Sequence, residues 1–456
     1  MNPINEKVDT LFSTWDKPDV PGCAVEVIRD GQILYQRAYG MADLERKVPL
    51  VTSSIFDIAS TSKQFAAAAI LLLAEQGVLT LQDNVHKYLP EMPDYGKKIR
   101  IHHLVHHTSG LRDYLSLMPL AGMHFENRYS LEEILALIFR QRRLNFSPGE
   151  AFLYCNSGYL LLGEIIRRVS GKPLQQIFHE CIFQPLDMAN TRLYDDFTEI
   201  IPGRAIGYAP KAGGGYQIEM SNQDLVGDGG ILTTIEDLFH WDQNFYRNRL
   251  GKKKQNLRRQ MLAPGQLNNG HQLDYAFGLE LGQHNGLKTV AHSGSWAGYR
   301  SDIVRFPEQR LSVICLANLS TLDAPSLARQ IADVYLADVI RVRPEDSSPP
   351  SPNEENSINS AKEKSKKIKK KVALDCMGDY YSHELDIIYR IEHKEGQLHT
   401  TIGHQTLEMP LLKSDIDQFN LEDWLFKFTR GKKGKVNGFQ ISSKDGQIKH
   451  IRFKKV

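Results

Sequence analysis

The chain has 456 residues, 41% hydrophobic and 24% charged, the proportions of an ordinary globular protein, which exclude wholesale disorder, collagen and a disulfide-dense miniprotein. At roughly 150 residues per domain the length admits about three domains, or one large core with an appendage. Lysine plus arginine (56) almost balances aspartate plus glutamate (54), and a net charge of +2 names no nucleic-acid partner.

In chain order, Gly22 to Ile28 and Ile33 to Tyr39 are apolar-rich runs joined by Arg29-Asp30-Gly31-Gln32, which reads as a β-hairpin. Ser60 to Gln76 predicts a buried central helix, apolar almost all round and stopped by Gly77. Helical patterns continue at Leu131 to Arg140 and Tyr159 to Val169. Strand-like runs return at Tyr275 to Leu281, Thr289 to His292, Tyr299 to Arg305 and Leu311 to Ala317, before a helix from about Ser326 to Ile340. Strands at both ends with helices between them predict an α/β domain over residues 1–342, with a helical subdomain and a site at the junction.

Residues 343–372 change character. Ser347-Ser348-Pro349-Pro350-Ser351-Pro352 and seven lysines between Lys362 and Lys371 predict a solvated linker, with a tether for an acidic partner or membrane surface as the sharper alternative. The segment carries 8 basic and 5 acidic residues, whereas residues 1–342 carry 35 and 37. Beyond it, Ile387 to Ile391, Leu398 to Ile402, Leu425 to Phe428, Phe439 to Ile441 and Ile448 to Phe453 predict a small all-β domain over 373–456.

Five cysteines (Cys23, Cys155, Cys181, Cys315, Cys376) are odd in number, scattered and nowhere spaced as CxxC, which favours neither a disulfide framework nor a zinc knuckle and fits a reducing compartment. Met1 to Glu6 shows no signal-peptide pattern, and the longest apolar run, Phe65 to Ala74, is too short to cross a bilayer. The expectation is a cytoplasmic protein with no membrane span.

Chemistry concentrates in three places. In Ser60-Thr61-Ser62-Lys63 a serine opens the buried helix, and a lysine three residues on projects from the same face, close enough to deprotonate or polarise it. Ser62 is the poorer candidate, because Lys63 points elsewhere. Alone the pattern is weak, since one or two matches per chain of this size are expected, roughly, from composition, and an N-cap serine before a surface lysine would read the same. However, this lysine lies among apolar neighbours, where an ammonium is costly unless it is paired or its pKa falls. Tyr154 and Asn156, on a turn before a helix, can face one cleft as proton relay and amide grip. His292-Ser293-Gly294-Ser295 ends a predicted strand, where Gly294 lets a substrate lie edge-on and the Ser295 N–H can point at an oxyanion.

Taken in order, Ser60/Lys63, Tyr154/Asn156 and His292/Gly294 resemble the motifs of the serine β-lactamase and penicillin-binding-protein superfamily. The nearer likeness is to its class C β-lactamase-related branch of esterases, D-aminopeptidases and D,D-carboxypeptidases. His107-Thr108-Ser109-Gly110-Leu111 and Gly227-Asp228-Gly229-Gly230 resemble further segments of that family, and the likeness covers roughly residues 8–340. It implies a β-lactamase/transpeptidase-like mixed fold, an antiparallel sheet flanked by helices. It further implies Ser60 as acylated nucleophile, Lys63 as its activator, Tyr154 as proton shuttle and Asn156 as ligand of a substrate carbonyl or amide. His292 would assist substrate binding or proton transfer, and the N–H groups of Ser60 and Ser295 would form the oxyanion hole. Many family β-lactamases carry lysine where this chain has His292, which is only fractionally charged near neutrality; the expectation is an ester or small, D-residue-containing peptide as substrate, with β-lactam turnover weak at most. Cys155 replaces a serine common in the family; its side chain is expected to point away from the cleft, with an oxidisable neighbour of the site as the alternative.

Other signals compete. His102 and His106 have the helical spacing of a metal pair but lack the accompanying glutamate, so a structural role is preferred and neither metal nor cofactor is expected. There is no Gly-x-Ser-x-Gly elbow or dinucleotide-binding glycine fingerprint. Trp296, Tyr299, Tyr114 and Phe152 read equally as pocket wall or core. The C-terminal module, opened by Gly378-Asp379-Tyr380-Tyr381-Ser382, is similar to the lipocalin-like barrels appended to some family peptidases, and it could cover a cleft or mediate self-association. The alternative to a serine hydrolase is a catalytically idle scaffold of the same fold that binds through the linker and β module.

Overall fold

The structure, a computed structural model, describes residues 3–251, 254–340, 374–403, 408–415 and 417–456. The predicted linker over 343–372 lies outside them. The chain divides into two compact units, one of Met1–Leu115 with His124–Ile340, the other of Ser116–Met123 with Arg341–Val456.

The first unit is built on a six-stranded antiparallel sheet in the order Glu280–His284, Leu287–Trp296, Tyr299–Phe306, Leu311–Ala317, Cys23–Arg29, Gln32–Tyr39. The first hairpin forms as its sequence predicts. Asp30 (φ 54°) and Gly31 (φ 78°) make the two-residue turn that right-twisted strands favour. Its second strand then pairs no further, while its first pairs with Leu311–Ala317 in the register Val25↔Cys315, joining the two ends of the unit. One face is covered by the helices Pro3–Leu11 and Ala324–Tyr335. The latter buries Leu327, Ala328, Ile331, Ala332 and Tyr335 in a single apolar stripe against Val25, Val27, Val313 and Cys315. Its start is fixed by Asp323, whose carboxylate accepts the Ser326 N–H.

On the other face lie Ile235–Tyr246 and the central helix Lys63–Glu75, buried from Lys63 through Leu73 and ended by Gly77 in the left-handed region. A salt bridge is sealed there: Arg305 Nε donates to Asp242 Oδ1 at 2.8 Å, with the side chains 1% and 0% exposed. Two desolvated charges that satisfy each other become a liability once one is removed. Arg305→Met should therefore cost about 3–5 kcal/mol in urea unfolding, and the double variant with Asp242→Asn should recover part of it. An Arg305→Met loss below about 1 kcal/mol would show that the pair behaves like a surface ion pair.

Tyr275 to Leu281, predicted as a strand, is corrected by the structure. The strand begins at Glu280, because Gly278 turns at φ +67° and packs its α-carbon against the Lys63 backbone, where an added Cβ would lie 2.6 Å from the Lys63 carbonyl. Pairing signals alone could not reveal that close approach.

In the second unit eight antiparallel strands close a barrel in chain order, from Gly378–Ser382 to Ile451–Lys455. Met409–Asp415 and Gln418–Leu421 are strands that the sequence pattern did not pick out. Alternation sends Tyr380, Tyr389, Phe426, Phe428, Phe439 and Phe453 inward. Their rings meet at separations from 4.5 Å (Tyr389–Phe453) to 6.3 Å (Tyr389–Phe426), so the interior there is packed with aromatic side chains. The Tyr389 hydroxyl donates to the Leu120 carbonyl, which ties the Ser116–Met123 segment into this unit. No helix among the described residues is long and apolar enough to cross a membrane.

Candidate active site

Ser60 lies in a 3-10 turn, Ala59–Ser62, that runs directly into the central helix at Lys63. The helix expected to open at Ser60 thus begins one tight turn later. Ala59, just before the serine, holds φ +48°, a conformation costly for a residue with a Cβ. Its N–H is pinned by Asp57 Oδ1 at 2.7 Å. The turn is also latched to the sheet: Thr61 Oγ1 donates to the His292 carbonyl at 3.1 Å, and Ser301 Oγ donates to the Ile58 carbonyl at 2.7 Å. Gly294 makes this approach possible, since a Cβ there would sit 2.2 Å from the Ile58 oxygen. Ser62 is buried and its hydroxyl accepts the Ile231 N–H, which removes it as a rival nucleophile.

Lys63 is fully buried, and its Nζ reaches three acceptors: Ser60 Oγ at 2.9 Å, Asn156 Oδ1 at 2.9 Å and the Asp228 carbonyl at 2.7 Å. Two of these can only accept, so they fix two of the amine's hydrogens and aim its remaining position at Ser60. Either an N–H donor or, in the neutral amine, a lone pair is then directed at the serine oxygen. The ring of Tyr154 lies 5.0 Å from the same nitrogen.

Asn156 begins the helix Asn156–Ser170, and its N–H donates to Asp113 Oδ2, a carboxylate at a helix N-terminus. Ser157 strengthens the clamp by donating to the Arg112 carbonyl and accepting the Tyr114 N–H. The loop after His-Thr-Ser-Gly-Leu is thereby bolted to the turn that carries Tyr154 and Asn156. His107 completes it, with Nδ1 accepting the Cys155 N–H at 3.0 Å and its ring 4.3 Å from that of Tyr154. Burial, with the nearby Lys63 charge, pushes His107 well below the usual histidine range, so it stays neutral. The Cys155 thiol is directed at the Leu111 carbonyl and burial raises its pKa; it points away from the cleft, as expected.

A cleft of about 130 Å³ is lined by Ser60, Tyr154, Asn156 and Ser295, together with Tyr114 and Trp296. Phe152 lines a separate cavity on the far side of Tyr154. Tyr299 is core, 1% exposed, and its hydroxyl donates to the Ala205 carbonyl.

His292 does not line this cleft. It is 1% exposed; Nδ1 donates to the Ser293 carbonyl at 2.7 Å, and Nε2 lies 3.0 Å from the Tyr275 hydroxyl, which it can accept. The expectation that it assists substrate binding or proton transfer thus meets a ring whose two nitrogens are both engaged within the protein. Burial, then the nearby Lys63 charge, push its pKa down to about 3, so it is not the cation that lysine supplies in many relatives.

The unfolded histidine binds a proton below about 6.5, while the folded one stays neutral until about 3, so stability is lost as the pH falls through that window. His292→Gln should shrink the difference in unfolding free energy between pH 7 and pH 5 by about 2 kcal/mol. Equal pH dependence in the two proteins would contradict this assignment.

The sequence reading did not single out Asp57, Asp113 or Tyr275, and it quoted Asp228 only within a glycine-rich segment. An acid two residues past the His-Thr-Ser-Gly-Leu segment and another two before the strained turn are usable local signals; Tyr275 carries none. His106 Nδ1 donates to the His102 carbonyl, which ties up one nitrogen of the helical pair.

The sequence profile of the Beta-lactamase family matches residues 8–336. The chain is 33% identical over 337 residues to penicillin-binding protein 4* of Bacillus subtilis, covering 68% of this chain and 71% of that protein. It is 30% identical over 298 residues to the D-aminopeptidase of Brucella anthropi, covering 65% of this chain and spanning 56% of that protein's length. Among solved structures, the octameric penicillin-binding protein homologue from Pyrococcus abyssi shares the fold over 100% of both chains, with a TM-score of 0.66 and 24% identity. The D-amino acid amidase of Ochrobactrum anthropi shares it over 74% of this chain and 99% of its own, with a TM-score of 0.62 and 21% identity. With the family matched over most of its length, the chain belongs to the Beta-lactamase family of hydrolases.

Proposed function

We propose that the protein is a serine hydrolase that forms a covalent acyl-enzyme on Ser60 and cleaves an ester or a small peptide amide, D-residues included. The observation that carries this reading is the Lys63 Nζ held between Ser60 Oγ, Asn156 Oδ1 and the Asp228 carbonyl. Ser60 Oγ attacks the carbonyl carbon as its proton passes to the lone pair of Lys63 in its neutral amine form. The tetrahedral oxyanion is received by the N–H groups of Ser60 and Ser295. Collapse breaks the C–O or C–N bond, and the leaving group takes the proton by way of Tyr154. Water then attacks the acyl carbon, returns a proton to Ser60 and releases the acid. Asn156, whose Oδ1 is committed to Lys63, keeps its NH₂ for a substrate carbonyl. D-aminopeptidase and amidase relatives support an amide substrate. Five free cysteines support a reducing, cytoplasmic setting.

His292 is neutral and turned away, and Lys63 is sealed behind Ser60, so a substrate carboxylate meets no cation at the position many β-lactamases provide. A panel of p-nitrophenyl esters, D- and L-aminoacyl anilides and nitrocefin tests this. Esters or anilides are expected to be turned over with kcat/KM at least about 100-fold above nitrocefin, a gap typical of a missing charged contact. Nitrocefin as the fastest substrate would refute it.

A further inference from the structure

We infer that a second binding site, separate from the catalytic cleft, lies in a cavity beside the end of the helix Ile235–Tyr246 and takes a small anion of linked phosphates, gripped by Arg247, Arg249, Arg258 and Arg259. The inference stands apart from the acyl-enzyme reading, because this cavity and the cleft share no lining residue. Residues 247–259 hold seven basic residues and no acidic one, while the rest of residues 1–342 holds 28 basic and 37 acidic. Positive charge concentrated in this way repels itself, and a bound anion relieves the repulsion. A merely solvated face would spread its arginines into water, whereas four of these line one space.

The cavity holds about 770 Å³, a volume suited to a small molecule, and its lining includes no aspartate or glutamate. Arg247 and Arg249 follow the helix Ile235–Tyr246, and Arg258 and Arg259 stand in the last turn of the helix Lys254–Met261, so two elements supply the cations. All four side chains are exposed. Among the described residues, Arg249 alone of the four pairs with an acid, Asp187 Oδ2 at 2.8 Å. Arg258 is held by packing instead: its guanidinium carbon lies 4.9 Å from the centre of the Phe245 ring, and that of Arg305 lies 5.2 Å from the same centre. Stacking fixes a guanidinium plane yet leaves its N–H donors free for an acceptor.

Linked phosphates fit this arrangement best. A guanidinium fork donates two parallel hydrogen bonds to the oxygens of one phosphate, and several forks in one cavity match an anion carrying several charges better than a monocarboxylate. Acids mark the edges of the basic area. Asp187 accepts from Arg249, and Asp30 Oδ1 accepts Arg310 Nε at 2.7 Å where Arg310 packs over the Tyr246 ring. Such acids would repel the extended phosphate array of a membrane or a duplex, but they leave the cavity itself to a short chain.

Calorimetric titration of the full-length protein with sodium tripolyphosphate tests the site. The wild type should bind it, and raising NaCl from about 0.05 to about 0.3 M should weaken binding by about 10-fold or more. Arg258→Ala combined with Arg259→Ala should weaken it by at least about 30-fold, and Arg247→Ala alone by about 5-fold. Lys366→Ala with Lys367→Ala, in the lysine-rich segment, should leave the affinity within about twofold. The substituted arginines are exposed, so the thermal unfolding of each variant should stay close to that of the wild type. Failure to bind at about 1 mM tripolyphosphate overturns the inference, as does an affinity unchanged by the double arginine substitution or lowered equally by the lysine pair. Retention on phosphatidylserine vesicles or on a short DNA duplex through these same arginines, undisplaced by tripolyphosphate, also overturns it, because the face would then serve a phosphate-bearing surface.

Discussion

Replacing Ser60 by alanine is expected to lower kcat/KM on the best ester or anilide by about 10⁴-fold or more, the scale on which removal of a covalent nucleophile acts. Ser60 Oγ is the only reactive atom of the turn facing the cleft, since Ser62 is sealed by its bond from Ile231 and Thr61 is spent on the sheet. The fold should barely register the change. Ser60 is half-buried, donates no structural hydrogen bond that the turn depends on, and leaves the Asp57 and Ser301 latches intact. Thermal unfolding within about one degree of the wild type, together with lost turnover, is the predicted pair of results; a shift of one degree corresponds to about 0.7 kcal/mol for a unit of this size by the usual scaling. Residual activity within tenfold of wild type would assign the chemistry to another residue.

Lys63 carries the second large effect. Lys63→Met removes the partner of Ser60 and leaves two buried acceptors, Asn156 Oδ1 and the Asp228 carbonyl, without their donor. Loss of the proton-transfer group should cost about 10³- to 10⁴-fold in the acylation rate. Lys63→Arg separates charge from proton transfer. It retains a cation, yet a guanidinium stays protonated and spreads its donors in a rigid plane that three convergent acceptors do not match. Arginine should therefore fail to rescue, leaving acylation within about tenfold of the methionine variant. Recovery of more than about half the wild-type rate in Lys63→Arg would mean that Lys63 supplies only charge, and the route of the Ser60 proton would have to be redrawn. Stopped-flow acylation by a chromogenic ester measures both variants without dependence on deacylation.

Much of this was legible in the sequence because it is encoded locally. The hairpin at Asp30-Gly31, the apolar helix stopped by Gly77 and the stripe on Ala324–Tyr335 each rest on a period or a turn signal a few residues long. The order of Ser60/Lys63, Tyr154/Asn156 and His292/Gly294 likewise carried the family resemblance. What stayed hidden depends on contacts far apart in the chain. Gly278 breaks a plausible strand only because the Lys63 backbone, more than two hundred residues earlier, lies against it. His292 reads as a cleft residue until Tyr275 and Ser293 are found occupying its ring. Asp228 sat unremarked in a glycine-rich run, since nothing in that run shows that its carbonyl meets Lys63 and its carboxylate meets Tyr114. The barrel strand Met409–Asp415 is hidden because Pro410, Lys413 and Asp415 interrupt its apolar pattern, and Gln418–Leu421, although it alternates, is only four residues long.

The most direct measurement of the central claim is intact mass after exposure to a fluorophosphonate. The wild type should gain the mass of one phosphonyl group, mapped by peptide digestion to Ser60, and Ser60→Ala should gain none. An unmodified wild type under forcing conditions, or an adduct that persists in Ser60→Ala, would contradict the assignment of Ser60 as the acylated nucleophile.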